Sequence, residues 1–378
     1  MSELLRKIKY NIRSYFETAD MILIALTVAC SVYGLILVAS ATSSMSNRLI
    51  AVQLFSAVVG FILMIVISKI DYQIFSELWF VMLVLSLLCL GVTLIFGTGP
   101  TGSTNRNWLN FGPVSIQPSE FVKLAYIIVI ASVISRFGDN ISSLRGVATT
   151  LGIAATILVP LMLTGDLGML IVYVFITALM LFIAGLSIWY FVGVLAVGAI
   201  SVPFLWTNFL HEYQKNRIIF GFNPELDPSD VGYQAVQGKI AIGSGGFAGK
   251  GLFQGSQVQN GYVPAHHTDF IFSVSGEELG FIGTILLLAL LVAIMLRIFY
   301  RSKQAEDSFG ALLCIGVFAT FVFQVFINIL MCVGMFPVIG ITLPFFSYGG
   351  SSMLSSFMAI GIVLSVSCNN RTLSFNRL

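Results

Sequence analysis

A few ionisable side chains of this sequence lie inside, or at the ends of, long apolar runs, where a charge is costly and needs a physical reason. Asp269 is the most suggestive, because it stands where the polar stretch 210–270 gives way to an apolar run. A carboxylate at such a boundary is partly desolvated but still reaches water, so its pKa can be tuned towards the working pH of a general base. Capping of the next helix and anchoring of the loop are alternative roles. The other candidates are Glu120, Lys123, Asp166, Glu277 and Glu278.

Glu120 and Lys123 form the next candidate pair. They follow Gln117, Pro118 and Ser119 directly, and they are three residues apart. That spacing puts both side chains on one face of a helix. Pro118 suits the first helical position, and Ser119 or Gln117 could cap the helix. Two interpretations stay open: a self-satisfied ion pair, or a pair that faces a polar cavity and orients a third charge.

The remaining carboxylates have simpler explanations. Asp166 follows Gly165 and is best explained as a helix cap. Glu277 and Glu278 lie about two turns beyond Asp269. Adjacent helical residues point about 100° apart, so at most one of them faces a given cavity. Structural pairing is the favoured interpretation for both.

Two nearby patterns only partly match binding motifs. His266 and His267 are adjacent, which is a weak pattern for metal ligands. The glycine-rich stretch 243–251, GSGGFAGKG, lacks the Ser or Thr that a Walker phosphate loop requires after its lysine, here Lys250. Its backbone amides and Lys250 could still hold a lipid pyrophosphate. A tight glycine-rich turn is the equally open alternative.

The elements that position these residues are predicted to be membrane helices. The chain is 57% hydrophobic and only 10% charged, whereas soluble domains carry about 25% charged residues. Apolar runs long enough to cross about 30 Å of hydrocarbon recur along it. We therefore predict an all-α integral membrane protein of about ten helices, forming a single polytopic domain over 1–378. The predicted spans are 21–42, 49–68, 77–96, 117–135, 147–163, 167–185, 188–209, 271–296, 309–332 and 345–367.

The distribution of basic residues predicts the orientation. With both termini in the cytoplasm, the inner segments hold most Lys and Arg, and the short outer loops hold only Arg48 and Arg106. Such an asymmetry favours this orientation. It leaves two segments outside, 97–116 and the long loop 210–270 between the seventh and eighth helices. Aromatic and aliphatic residues in the long loop favour short helices against the membrane surface over disorder.

Five stretches spread over nearly the whole chain carry a family resemblance. They are NRNWLNFGPVSIQPSEFVKLA (105–125), GDLG (165–168), RIIFGFNPELDPSDVGYQAVQGKIAIGSGGFAGKG (217–251), HTDFIFSVSGEELGFIG (267–283) and GITLPFFSYGGSSML (340–354). Together they resemble the SEDS proteins (shape, elongation, division and sporulation), whose best-known branches are RodA and FtsW. The HTDFIFSV segment and the short termini lean towards the RodA branch. The chain departs from the family pattern at Ala265, Gly165 and Leu330.

The resemblance implies a peptidoglycan glycosyltransferase that polymerises lipid II, a lipid-pyrophosphate-linked disaccharide-pentapeptide, on the outer face of the bacterial cytoplasmic membrane during cell elongation. It assigns the family's essential aspartate to Asp269, its Glu–Lys pair to Glu120 and Lys123, and its outer-loop tryptophan to Trp108. Glu120 would orient Lys123, and Trp108 would pack against a sugar or a prenyl chain. The implied partners are lipid II, a class B penicillin-binding protein transpeptidase and other cell-wall elongation proteins, and no nucleic acid.

The implied reaction inverts an α-linked donor into a β-1,4 product in a single displacement. It needs a base for the acceptor hydroxyl and positive charge for the departing pyrophosphate. We expect Asp269 to be that base, or to hold a divalent cation such as Mg²⁺ or Mn²⁺. Lys123, with Lys250 or Arg217, would stabilise the pyrophosphate.

Other classes of function remain as alternatives. A lipid II flippase predicts charges near the middle of the bilayer, whereas the candidates here cluster at the outer rim. A scaffold would only position the transpeptidase and would not polymerise. A small-solute transporter is disfavoured, because we find no internal repeat of the kind that such folds carry.

Overall fold

The protein is almost entirely helical in a computed structural model. The residues that the structure describes are 18–99, 105–112, 114–208, 212–230 and 232–375. Within these ranges, nine helices are long and apolar enough to cross a membrane, and Leu167–Ile183 is a shorter apolar helix. The predicted class, a multi-pass membrane protein of about ten helices, is confirmed.

The helices and a small hairpin follow one another along the chain. They are α1 (Met21–Ala41), α2 (Asn47–Ser68), α3 (Tyr72–Glu77), α4 (Trp79–Phe96), β1 (Leu109–Phe111), β2 (Val114–Ile116), α5 (Pro118–Phe137), α6 (Leu144–Leu163), α7 (Leu167–Ile183), α8 (Ile188–Asn208), α9 (Glu212–Phe222), α10 (Tyr233–Ser244), α11 (Ser256–Gln259), α12 (Ile271–Lys303), α13 (Ser308–Cys332) and α14 (Gly350–Phe375). We call the end of the bundle that carries 97–116, 210–270 and 333–349 the outer end, after the predicted orientation.

Helices α1 and α12 run antiparallel and are joined along their length. Asp20 caps α1 through the amide of Leu23, and it also accepts hydrogen bonds from Arg297 and Arg301 of α12. Burial alone would raise the pKa of Asp20, but the two guanidinium groups together hold it below its ordinary value. Further along, the Tyr33 hydroxyl donates to the carbonyl of Gly283 at 2.9 Å. These contacts explain why α12 continues beyond the predicted end at 296.

Helices α2 and α14 run parallel to each other. A side chain at Gly60 would overlap Phe357, and one at Gly361 would press on Met64 and Ile67. Small residues at such contacts allow two membrane helices to approach closely. The second and tenth spans should be parallel, because an odd number of spans among the described residues, seven, separates them along the chain.

The predicted break between the fifth and sixth spans is confirmed at Gly165. Helix α6 ends just before it, and Gly165 has φ +79°, a conformation that residues with a side chain rarely adopt. Asp166 then caps α7, because its Oδ1 accepts the amide of Met169 at 3.2 Å. The interpretation of Asp166 as a helix cap is therefore correct.

The predicted start of the last span, at residue 345, is wrong. Helix α14 begins at Gly350. Phe345 has φ +67°, and the Ser347 hydroxyl accepts the amide of Leu343, so a side chain competes with helical hydrogen bonds there. Hydropathy alone extended the span because Phe345 and Phe346 are apolar. They are buried by tertiary packing outside any helix.

The long outer loop contains short helices, as predicted. Helix α10 packs along the first turns of α12, where a side chain at Gly238 would overlap Phe270 and one at Gly245 would overlap the carbonyl of Gly276. Helix α12 is interrupted at Gly280, which has φ +65° and lies against the amide of Gly249. Glycines thus allow two backbone segments to meet at close range. The sequence did not indicate that α12 would hold α10 in this way.

Candidate active site

Asp269 lies in a tight turn that leads into α12. The amides of Thr268, Asp269 and Phe270 all donate to the carbonyl of Ala265, at 3.1, 3.0 and 3.3 Å. Ala265 itself has φ +50°, so the chain reverses sharply at this point. The turn brings Asp269 to the outer rim of the bundle, as the sequence predicted.

The Asp269 carboxylate is partly exposed and faces Gly340. A Cβ atom at Gly340 would lie 3.8 Å from Oδ2 of Asp269. Burial raises the pKa of Asp269 to about 6, against the lowering effect of the Thr268 hydroxyl. No ion pair among the described residues involves Asp269. A desolvated carboxylate without a fixed cation suits proton transfer near neutral pH.

The segment 333–349, between α13 and α14, forms the wall opposite Asp269. On one side of this segment, Gly340 faces the carboxylate. On the other side, a side chain at Gly168 would overlap the carbonyl of Ile339. The wall therefore lies between the Asp269 turn and the start of α7.

Glu120 and Lys123 form a buried ion pair on α5. Glu120 Oε2 lies 2.7 Å from Lys123 Nζ, and both side chains are only 3% exposed. Ser355 of α14 donates to the same oxygen of Glu120 at 2.6 Å. The predicted shared helix face is confirmed. For Glu120, the structure agrees with the first interpretation, an ion pair whose members satisfy each other. A role of Lys123 towards a ligand stays a prediction.

The segment 347–355, which comprises the end of the wall and the first turns of α14, links the Glu120–Lys123 pair to the Asp269 turn. The Ser347 hydroxyl donates to the carbonyl of Thr268 at 2.6 Å, and the Ser351 hydroxyl accepts the amide of Gln117 at 3.0 Å. Ser355 completes the series at Glu120. A single segment thus contacts both groups of candidate residues.

Asp166 joins the starts of α5 and α7. Gln117 Nε2 donates to its Oδ2 at 2.8 Å, and the Ser119 hydroxyl donates to the same atom at 3.1 Å. Burial raises the pKa of Asp166 despite these hydrogen bonds. With the capping contact to α7, the carboxylate has a structural role.

Glu277 of α12 contacts several residues of the long outer loop. It is fully buried and pairs with Lys250 at 2.7 Å. It also accepts the amides of Gln257 and Val258 at 2.8 and 2.9 Å. The favoured interpretation of Glu277 as a structural residue is confirmed. The pyrophosphate role of Lys250 stays a prediction.

Glu278 points elsewhere, as expected for adjacent helical residues. It accepts hydrogen bonds from the Ser40 hydroxyl and from Gln259 Nε2, the latter at 2.9 Å. Ser40 lies at the outer end of α1, so Glu278 joins α1 and α11 to α12. Structural pairing is confirmed for this residue too.

Trp108 lies at the base of the small outer hairpin. Its amide and carbonyl pair with Thr98 at 3.0 and 2.8 Å, and its side chain is half-buried. The hairpin is antiparallel, with Asn110 opposite Ser115. A sugar or prenyl contact of Trp108 stays a prediction. The side chain of Arg217, proposed for pyrophosphate, lies outside the described residues.

The two histidines beside Asp269 hold the local fold. Both ring nitrogens of His266 contact backbone carbonyls, those of Val263 and Ala41, at 2.7 and 2.9 Å. The ring of His267 lies 5.6 Å from that of Tyr348, and burial, together with His266, lowers the pKa of His267 to about 4. His267 is therefore neutral at neutral pH. In the part of the chain that the structure describes, no three His, Cys, Asp or Glu side chains cluster as a metal site.

Sequence reasoning missed three polar residues that border the Asp269 turn: Gln53, Asn328 and Ser347. Gln53 and Asn328 are fully buried amides on otherwise apolar helices. Buried amides are costly unless they are hydrogen-bonded. An uncharged amide inside an apolar run was the available signal, and a criterion based on charge alone does not detect it.

Comparisons with known proteins agree with this arrangement. A family model described as a cell cycle protein, covering FtsW, RodA and SpoVE, matches residues 20–372. This chain belongs to the FtsW/RodA/SpoVE family. The resemblance to the SEDS proteins is thereby confirmed over almost the whole chain.

Several relatives are similar to this family member to the same degree. The probable peptidoglycan glycosyltransferase FtsW of Trichlorobacter lovleyi is 36% identical over 97% of this chain and 96% of its own. The peptidoglycan glycosyltransferase MrdB of Escherichia coli K12 is 36% identical over 83% of this chain and 84% of its own. Stage V sporulation protein E of Bacillus subtilis is 36% identical over 93% of this chain and 98% of its own. Equal identities do not separate the branches of the family.

Solved structures share the fold. One chain of a peptidoglycan synthase complex, described as coordinating polymerization and crosslinking, has a TM-score of 0.83 at 28% identity, covering 93% of this chain and 98% of that one. The rod shape determining protein RodA of Thermus thermophilus has a TM-score of 0.70 at 27% identity, covering 93% of this chain and 97% of its own.

Proposed function

We propose that this family member is a peptidoglycan glycosyltransferase that polymerises lipid II at the outer face of the cytoplasmic membrane, with Asp269 as its catalytic carboxylate. Relatives that match most of the chain carry the name of this enzyme class. The observation that supports the residue assignment is the Asp269 carboxylate itself. It is desolvated, it has no cation partner among the described residues, and it faces Gly340.

In the proposed reaction, a sugar hydroxyl of the acceptor attacks the anomeric carbon of the donor. The bond from that carbon to the pyrophosphate oxygen breaks, and the anomeric configuration inverts. Asp269 takes the proton of the attacking hydroxyl as the new bond forms. A pKa of about 6 leaves most Asp269 carboxylates ionised at neutral pH, yet basic enough to accept a proton. One base and no covalent nucleophile suffice for a single displacement.

Lys123 is the proposed cation for the departing pyrophosphate. Among the described residues, its ammonium has Glu120 as its ion-pair partner. A lysine ammonium has three N–H donors, so donors remain for an anion. Glu120 would fix the position of Lys123. Positive charge placed where negative charge develops is a large contribution to catalysis.

A divalent cation, Mg²⁺ or Mn²⁺, is proposed as a cofactor. Mg²⁺ is often held by one or two protein carboxylates together with the phosphates of a substrate. Asp269, with the pyrophosphate of the donor, would fit this pattern without a cluster of protein ligands. When bound, the cation would neutralise charge that develops on the pyrophosphate.

We propose a class B penicillin-binding protein transpeptidase as the partner and cell elongation as the process. The solved complex of similar fold is described as coordinating polymerization with crosslinking, and a rod shape determining protein is similar over most of the chain.

Depletion strains test the process: the gene should replace a RodA homologue and should not replace an FtsW homologue. Rescue of division alone would contradict the elongation role.

Reconstitution tests the enzymatic proposal. The purified chain, in liposomes with lipid II and Mg²⁺, should produce glycan strands, and more of them with the transpeptidase present. A flippase would move lipid II across the bilayer and leave it unpolymerised. A scaffold would give no polymer even in the complex. Either result would overturn the proposal.

A further inference from the structure

Three consecutive carbonyls around Asp269 each accept a hydrogen bond from outside the turn, two from the wall and one from α13. The Tyr348 amide donates to the carbonyl of His267 at 2.8 Å, and the Ser347 hydroxyl donates to that of Thr268 at 2.6 Å. Asn328 Nδ2 donates to the carbonyl of Asp269 itself at 2.8 Å. The backbone that carries the carboxylate is therefore fixed residue by residue, from outside its own turn.

Asn328 has a double attachment. It lies on α13 and is fully buried. Its Nδ2 also donates to the carbonyl of Ile341 at 2.7 Å, the residue after Gly340. One amide group thus fixes the Asp269 backbone and, at the same time, the segment that the Asp269 carboxylate faces. Asn328 therefore contributes to setting the distance across the site.

A second amide holds the other end of the wall. Gln53 of α2 donates to the carbonyl of Ser347 at 3.0 Å and accepts the amide of Gly349 at 3.0 Å. The Ser347 hydroxyl meanwhile accepts the amide of Leu343 at 2.7 Å. Gln53 and Asn328 thus hold the wall from two helices of membrane-spanning length, α2 and α13.

From this geometry we propose that Asn328 is a positioning residue for Asp269, setting where the carboxylate stands relative to the wall at Gly340. The proposal rests on the catalytic role proposed for Asp269. The carbonyl of Asp269 precedes the first turn of α12, and Asn328 gives it a donor that the helix does not supply. Removing that side chain takes away the hydrogen bonds to the carbonyls of Asp269 and Ile341, so the Asp269 backbone can shift relative to Gly340. The contacts of the Glu120–Lys123 pair do not involve Asn328.

The test replaces Asn328 by Leu, which keeps a similar volume, and by Ala. A catalytic group displaced by about 1 Å can cost about 100-fold in rate. We expect kcat for lipid II polymerisation to fall about 10- to 100-fold in both variants, with KM changed by less than about threefold. The matched control is Thr320→Val on the same helix, because the hydrogen bond of the Thr320 hydroxyl among the described residues is to the carbonyl of Gly316 in its own helix. It should keep wild-type kcat.

A purely structural role predicts a different result. Assays are run well below the unfolding temperature of each variant, and the number of lipid II binding sites per protein is measured. Two results would overturn the proposal. One is a fall in kcat that matches the fall in the number of lipid II binding sites per protein, and the other is wild-type kcat in both Asn328 variants. Where neither variant folds, Ser347→Ala decides, because it removes the donor to Thr268, and wild-type kcat there would also overturn it. Wild-type kcat in Asp269→Asn would instead overturn the catalytic role on which the proposal rests.

Discussion

At the scale of single residues, the behaviour of Asp269 follows from its surroundings. Burial removes water from the carboxylate, and no described cation restores its charged form, so its pKa rises. Asp166 is also desolvated, but three hydrogen bonds from Gln117, Ser119 and Met169 saturate it. The contrast separates a carboxylate available to a substrate from one that holds the fold.

The pKa of Asp269 predicts the pH dependence of the reaction. Because a general base must be ionised, and because burial raises this pKa from 3.8 to about 6, activity should fall as the pH drops through about 6. Below that value the rate should decrease about tenfold per pH unit. The measurement is kcat/KM against pH with lipid II in a detergent that is stable to acid. An acid limb near pH 4 would indicate an unperturbed carboxylate and contradict this account.

Only part of the site was predictable at this scale. Asp269 was marked by its position at the end of an apolar run, and the family resemblance raised it above the other charges. Asn328 and Gln53 were not found. Their contacts join residues 53 to 347 and 328 to 269, which only the packed helices bring together.

At the scale of elements, one carboxylate organises the long outer loop. Glu277 lies at the end of the first part of α12, just before the interruption at Gly280. It collects Lys250 and the amides of Gln257 and Val258. Glu277 and Glu278, the charged residues inside this predicted span, thus bind the long outer loop to α12.

Removing that carboxylate should loosen the loop. Glu277→Ala leaves the buried amide of Val258, the partly buried amide of Gln257 and the Lys250 ammonium without this acceptor. Each unsatisfied buried group costs about 1–3 kcal/mol. We expect a loss of stability of about 3 kcal/mol, measured as a lower midpoint of thermal unfolding, together with faster proteolysis of the loop. The control is Glu225→Gln, which breaks the exposed pair with Lys239. Equal midpoints for Glu277→Ala and this control would refute the structural role.

Most predicted span ends agree with the helix ends within a few residues. They were predictable because the length of an apolar run indicates the length of the helix. The start of α14 was not predictable, because Phe345 and Phe346 are buried by tertiary contacts and read as part of a span. The far end of α12 was missed for the opposite reason. Arg297 and Arg301 look like a cytoplasmic loop, yet Asp20 holds them in helical register.

At the scale of the whole molecule, the outer end gathers the candidate chemistry. The Asp269 turn, the wall 333–349, the start of α14 and the ion pair on α5 all lie there, joined by hydrogen bonds. The antiparallel α1–α12 pair and the parallel α2–α14 pair agree with alternate crossing directions. An enzyme that takes a lipid-linked sugar from the outer leaflet needs this placement.

The orientation itself can be tested by labelling single cysteines. Four native cysteines are buried and Cys89 is partly buried, so background labelling should be low. In intact spheroplasts, an impermeant maleimide should label Glu225→Cys in the long loop and should spare Glu306→Cys between α12 and α13. Permeabilised spheroplasts should label both, since both positions are exposed. The reverse pattern would invert the topology and place Asp269 in the cytoplasm.

The central claim is that Asp269 performs the polymerisation chemistry, and one substitution tests it directly. Asp269→Asn keeps the shape of the side chain and removes its ability to accept a proton or hold a cation. Purified Asp269→Asn protein with its transpeptidase partner, lipid II and Mg²⁺ should form glycan strands at least about 1,000-fold more slowly, as when an essential catalytic group is lost. Asp230→Asn, an exposed carboxylate of the same loop, should polymerise at the wild-type rate. Glycan strands at the wild-type rate from Asp269→Asn would contradict the account.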